Sequence, residues 1–227
     1  MFLNSDDTIL FQGDSITDGN RGRNNDPNHI LGHGYACMVA SRLGADNYTR
    51  QPNFINRGES GDTIKKMYGR WKTDVVLLNP TIVSILIGVN DTCCSRYFDH
   101  AGNGLPKAQY ERIYRQIIED TKEALPRVKL ILCEPFYICL DTEEETRRIH
   151  GQKVRKEVEG YQEVVKKIAD SYGCVFVPFQ DLFDELTRHT KKEYIIWDGV
   201  HPTMTGHEFM ARRWLEVVEK ALEKTEE

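Results

Sequence analysis

Residues 81–88 read TIVSILIG, and Ser84 is the single polar side chain between Ile82 and Ile87. A strand with one face in water alternates apolar and polar residues. A run this continuously apolar suits a strand covered on both faces, as at the centre of a parallel sheet. Shorter β-rich runs lie on either side of it in the chain, at 8–11, 53–56, 129–133 and 175–177. The stretches between them have helical spacing. Residues 35–43 form one such stretch, and 63–78 contains another, closed by Asn79 and Pro80. Residues 107–125 place Ile113, Ile117, Ile118 and Leu125 at helical intervals ahead of Pro126. Residues 152–172 carry Val154, Val158, Tyr161, Val164, Val165 and Ile168 on one face and stop before Gly173. A last helix is expected over 205–223, with Thr205 as its N-cap.

Strands alternating with helices predict an α/β fold: a three-layer α/β/α sandwich around a five-stranded parallel sheet. Right-handed crossovers leave few strand orders, and the flavodoxin-like 2-1-3-4-5 is the one expected. With 227 residues and neither repeat nor linker, the chain fits a single domain, 1–227. The net charge of −5, with Lys and Arg dispersed among acids, gives no footing for a nucleic-acid or anionic-membrane partner. No apolar run approaches the about 18 residues that span a bilayer. The opening MFLNSDDTILFQGDS lacks a basic start, an apolar stretch and a cleavage site, so a cytoplasmic location is expected. The cysteines, Cys37, Cys93, Cys94, Cys133, Cys139 and Cys174, make neither a C-x-x-C pair nor a zinc-spaced cluster. They are expected to be free thiols, with no metal and no cofactor, and the vicinal Cys93 and Cys94 have no assigned role.

Four segments fall just after strands or before the last helix: GDSITDG (13–19), NRGESGDT (56–63), GVND (88–91) and WDGVHPT (197–203). In such sheets, sites form at the carboxyl ends of the strands. Acyl transfer needs a nucleophile, a base, a group that orients the base, and donors for the oxyanion. Ser15, between a strand and a helix, can attack while its own N–H faces the developing charge. Asp198 and His201, at D-x-x-H spacing, can supply the carboxylate and the imidazole. Gly58 can offer an unshielded N–H and Asn90 a side-chain amide. The rival G-x-S-x-G elbow fails, because Thr17 stands where its second glycine belongs.

Together these segments resemble the blocks of the SGNH (GDSL-type) hydrolase superfamily. The resemblance implies that Ser15 is nucleophile and oxyanion donor, that Gly58 and Asn90 are further oxyanion donors, and that His201 is the base oriented by Asp198. Ile16 replaces the family's usual leucine. YGRW (68–71), PFYI (135–138) and WDGVHPTMTGH (197–207) are similar to bacterial intracellular acetyl-xylooligosaccharide esterases, which remove acetyl groups from short sugar chains. That likeness implies a small acetylated carbohydrate as substrate and a homo-oligomeric assembly.

The expected function is therefore a serine esterase for short acyl groups. A thioesterase or lysophospholipase, or a non-catalytic carbohydrate-binding protein on the same fold, are the alternatives. The polar stretch 20–34 either borders the site or joins subunits, and the loop 92–106 is long enough to be functional. Their polar character suits a soluble sugar better than a lipid. Asp14 is expected to hold its own turn and Asp91 to act as a structural acceptor. Trp197 is expected to pack beneath its loop; alternatively, it joins Tyr97 and Phe136 in a sugar-facing aromatic surface.

Overall fold

The computed structural model describes residues 3–24, 26–92 and 104–223. Strands β1 (Thr8–Gly13), β2 (Asn53–Asn56), β3 (Ile82–Leu86), β4 (Lys129–Cys133) and β5 (Val175–Val177) pair in parallel in the order β2-β1-β3-β4-β5. This is the expected order, with the continuously apolar β3 at its centre. Alternation along the strands builds two cores. Ile9, Phe11, Ile82, Leu86, Ile131 and Cys133 face one side; Leu10, Val83, Ile85, Leu130 and Leu132 face the other. Each such side chain removed from water contributes about 1.5–3 kcal/mol. Ser84, the polar exception, is wholly buried but accepts a hydrogen bond from Trp214 Nε1 at 3.0 Å, so its hydroxyl is partnered.

The helices are α1 (Ser15–Asp18), α2 (Tyr35–Asp46), α3 (Ile64–Gly69), α4 (Trp71–Asp74), α5 (Lys107–Ala124), α6 (Glu145–Tyr172), α7 (Gln180–His189), α8 (Lys192–Ile195) and α9 (Met204–Glu223). Helices α2, α7 and α9 cover the first face through Tyr35, Val39, Phe183, Met210 and Trp214. Helices α3, α4 and α5 cover the second through Ile64, Met67, Trp71, Tyr110, Tyr114 and Ile117. Helix α6 serves both, Val154 and Val158 on the first face and Tyr161 to Ile168 on the second.

Several boundaries differ from the sequence reading. The helical stretch expected within 63–78 is divided at Arg70, whose φ of −112° and ψ of 7° end α3 and begin α4. Helix α6 starts seven residues before 152, because its first two turns, from Glu145 to Gly151, are mostly exposed and carry no apolar stripe. Helices α7 and α8 were not anticipated. Thr205 is not the cap of α9: it lies in the first turn, and Thr203 Oγ1 accepts the Gly206 N–H at 3.3 Å instead. Tyr97, Cys93 and Cys94 lie outside the described residues. Among the described residues no helix is long and apolar enough to cross a membrane.

Candidate active site

The carboxyl ends of β1, β2 and β3 deliver three of the four motif segments to one edge of the sheet. Strand β1 ends at Gly13, Asp14 caps α1 by accepting the Ile16 N–H at 3.0 Å, and Ser15 is the first helical residue. The fourth segment folds into a tight loop, in which Ile196 bridges Pro202 and Trp197 N–H donates to the His201 carbonyl at 3.1 Å. That loop brings a residue 186 positions away to the serine: Ser15 Oγ lies 2.8 Å from His201 Nε2. On the other side of the ring, His201 Nδ1 donates to Asp198 Oδ2 at 2.6 Å. Asp198 Oδ1 accepts the backbone N–H groups of Val200, at 2.9 Å, and of His201, at 2.7 Å. With Nδ1 carrying the proton toward Asp198, the Nε2 lone pair faces Ser15.

Electrostatics follow from this packing. Burial alone would raise the Asp198 carboxyl, but the His201 ring and the two backbone N–H groups outweigh it and hold the pKa below its ordinary value. Burial also pulls the His201 imidazole down, yet the Asp198 hydrogen bond and the charges of Asp198 and Asp14 raise it overall. Burial pushes the Asp14 carboxyl up to about 7, against the Ile16 hydrogen bond and the pull of His201. Asp91 is also buried and raised; both of its oxygens accept the Ile64 N–H at 3.1 Å, which makes it a structural acceptor. His207, buried on α9, accepts the Tyr35 N–H at 3.2 Å and is depressed to about 4, first by burial and then by the charges of His33 and His201.

The other anticipated site residues divide. Asn90 is buried and its Nδ2 donates to the Asp62 carbonyl at 2.9 Å, which fixes its amide plane. Gly58 does not offer a free N–H: that group donates to Asn56 Oδ1 at 2.9 Å. Its glycine is required for another reason, because a Cβ there would sit 2.4 Å from Asp18 N on α1. Gly61 is not singled out by the sequence reading. It occupies the third position of a turn closed by Asp62 N–H to Glu59 O at 3.1 Å, with φ +78° as a type II turn demands. Among the described residues its N–H has no acceptor, and a Cβ there would meet open space. Its neighbours tie it to both sides of the site, Ser60 N–H to Asp18 Oδ2 at 3.0 Å and Asp62 O to Asn90. The signal was present, since NRGESGDT contains two glycines.

The aromatic candidates also separate. Phe136 is 0% exposed and stacks on Phe183 at 4.4 Å, so it presents nothing to a sugar; its ring fills the core. Trp197 does not pack beneath its loop. It is 60% exposed and stacks against the His201 ring at 6.0 Å and 24°. A cavity of about 700 Å³ opens on the Asp198 side, walled by Val89, Tyr137, Leu140, Val154 and Val200 and rimmed by Arg147, Arg148 and Lys192. Those cations come from the first turns of α6 and from α8, two of the regions the sequence reading did not assign to helices.

Comparison with known proteins gives consistent relatives. The family model described as the GDSL-like Lipase/Acylhydrolase family matches residues 11–209. The chain is 34% identical over 223 residues to an acetylxylan esterase of Geobacillus stearothermophilus, covering 95% of each. The crystal structure of Axe2, an acetylxylan esterase from that organism, matches with a TM-score of 0.83 and 31% identity over 96% of both chains. LAE5, an alpha/beta hydrolase enzyme from the metagenome of Lake Arreo, Spain, matches with a TM-score of 0.83 and 25% identity, covering 96% of this chain and 98% of its own.

Proposed function

The chain belongs to the GDSL-like lipase/acylhydrolase family and is a carboxylic ester hydrolase, and we propose that it removes acetyl groups from short soluble carbohydrates through an acyl-enzyme on Ser15. The observation that carries this reading is the unbroken relay from Ser15 Oγ to His201 Nε2, at 2.8 Å, and from His201 Nδ1 to Asp198, at 2.6 Å. Ser15 Oγ forms a bond to the acetyl carbonyl carbon as its proton passes to His201 Nε2. The carbonyl oxygen becomes an oxyanion facing the Ser15 and Gly61 N–H groups and the Asn90 amide. Gly61 takes the part that the sequence alone gave to Gly58, whose N–H is already spent. Collapse breaks the ester C–O bond, and the sugar alkoxide leaves with the proton from His201. Water then attacks the acetyl-serine, again giving its proton to His201, and acetate departs as Ser15 recovers its hydrogen.

Support for a carbohydrate leaving group comes from the exposed Trp197 face beside the imidazole and from the polar rim of the neighbouring cavity. The acetylxylan esterase relative points the same way. A site closed around a methyl group rejects longer chains by steric clash, a steeper penalty than the about 1–3 kcal/mol lost with a missing methylene. The test is a series of p-nitrophenyl esters from two to twelve carbons, together with acetate release from acetylated xylo-oligosaccharides. kcat/KM is expected to fall at least tenfold from acetyl to butyryl and further beyond. An optimum at eight carbons or more would turn the assignment toward lipid esters, and no acetate from any oligosaccharide would remove the sugar.

A second expectation concerns pH. His201 must be neutral to accept the serine proton, and its environment raises its pKa overall above the ordinary imidazole value of 6.5. Activity therefore rises as pH increases through that raised value and levels off above it. A kcat/KM profile on p-nitrophenyl acetate from pH 5 to 9 checks this; a flat profile, or one falling with pH, would rule out His201 as base.

A further inference from the structure

We propose that Arg70 is a positioning residue that holds the oxyanion-binding groups in register with Ser15, a proposal that rests on the acyl-enzyme reading above. The guanidinium sits where α3 gives way to α4, and all three of its nitrogens donate hydrogen bonds. Nε donates to Asp62 Oδ2 at 2.8 Å, and Nη2 reaches the same oxygen at 2.7 Å. Nη2 also donates to Gln12 Oε1 at 3.0 Å. Nη1 donates to the Arg57 carbonyl at 2.8 Å and to the Asp74 carboxylate.

Two of these acceptors, Arg57 and Asp62, belong to NRGESGDT, and a third, Gln12, directly precedes GDSITDG. Arg57 and Asp62 are the two ends of the loop that contains Gly61, so one cation staples that loop at its entry and its exit. The carbonyl of Asp62 receives the Asn90 amide, so holding Asp62 also aims Asn90. Gln12 Oε1 in turn accepts the Gly13 N–H at 3.0 Å, two residues before the nucleophile. Arg70 thereby connects the segments after β1 and β2 with Asn90 in the turn after β3, each of which supplies one oxyanion donor in that reading. Its side chain is 22% exposed and that of Asp62 8%, so these contacts are formed in partly desolvated surroundings where water replaces them poorly. Lysine cannot substitute. Its donors radiate from one nitrogen, whereas here the acceptors surround a planar fork.

The experiment uses the full chain with p-nitrophenyl acetate and compares wild type, Arg70→Ala and Arg70→Lys. Both variants are expected to lose about 10²- to 10³-fold in kcat, the size of a lost oxyanion donor, with KM within about threefold of wild type. Millimolar methylguanidinium is expected to restore Arg70→Ala at least tenfold and to leave Ser15→Ala inactive, with urea as the control. Arg70→Lys keeps the charge and the stem, so it carries the test if Arg70→Ala does not fold. Wild-type kcat in Arg70→Lys would overturn the proposal, as would a loss confined to KM. Phosphonate labelling of wild-type Ser15 separates the two readings. If Ser15 is labelled while the Arg70 variants keep their kcat, only the positioning role falls. If Ser15 is not labelled, the acyl-enzyme itself falls.

Discussion

Ser15→Ala is expected to lower kcat for p-nitrophenyl acetate by about 10⁶-fold, the loss seen when a serine nucleophile is removed from a triad. The replacement should leave the fold alone. Helix α1 is capped by Asp14 rather than by the serine, and alanine is well tolerated at a first helical position. Among the described residues the only partner of Ser15 Oγ is His201 Nε2, so removing it leaves no buried polar group stranded in the core. What remains in the variant is the oxyanion site and the imidazole, which can still assist water, and a small residual rate is consistent with that. An organophosphonate should add one label to the wild-type chain, on the peptide containing Ser15, and none to the variant. Mass spectrometry and a burst assay read the two outcomes. Labelling of another residue, or more than a hundredth of wild-type activity in Ser15→Ala, would sink the assignment.

The fold could be read from the sequence to the extent that burial leaves a periodic trace. Strand β3 is covered on both faces, so Ile82 to Ile87 form a nearly unbroken apolar run, and that run located the sheet's centre. The first two turns of α6 are missed for the opposite reason. Arg147 and Arg148 stay in solvent, and Gly151 is buried beside Tyr137 and Cys139 without any side chain to register its burial. Helix α7 packs Leu182, Phe183 and Leu186 against the core, a stripe of three residues on a ten-residue segment otherwise rich in charge. In the site, the types of the residues are legible but their hydrogen-bond commitments are not. Gly58 and Gly61 look alike in NRGESGDT; only the fold shows that one N–H is taken by Asn56 and that the other has no acceptor among the described residues. Phe136 and Trp197 are both aromatic residues in motif-like segments, yet one closes the core and the other stands beside the imidazole. The clamp formed by Arg70 has no sequence signature, because its acceptors come from three separate stretches and include a backbone carbonyl.

Asp198→Asn is expected to cost about 10⁴-fold in kcat while preserving the structure, and the reason lies in which oxygen does what. Asp198 Oδ1 receives the backbone N–H groups of Val200 and His201, and an asparagine carbonyl oxygen can keep both. The amide nitrogen then occupies the place of Oδ2, 2.6 Å from His201 Nδ1, and brings hydrogens where an acceptor stood. The imidazole answers by moving its proton to Nε2, where it points at Ser15 Oγ and can no longer accept the serine proton. The charge is lost as well. Burial lowers the imidazole pKa, whereas the hydrogen bond to Asp198 and its charge raise it, so the variant's His201 pKa drops. Its residual activity should therefore rise with pH at a lower midpoint than in wild type, in addition to the lower plateau. A purely structural aspartate would predict neither outcome, since its neutral isostere keeps the loop bonds. Circular dichroism and thermal melting establish that the variant is folded, and the pH profile of kcat/KM supplies the decisive comparison. Activity within tenfold of wild type, or an unchanged midpoint, would remove Asp198 from the relay.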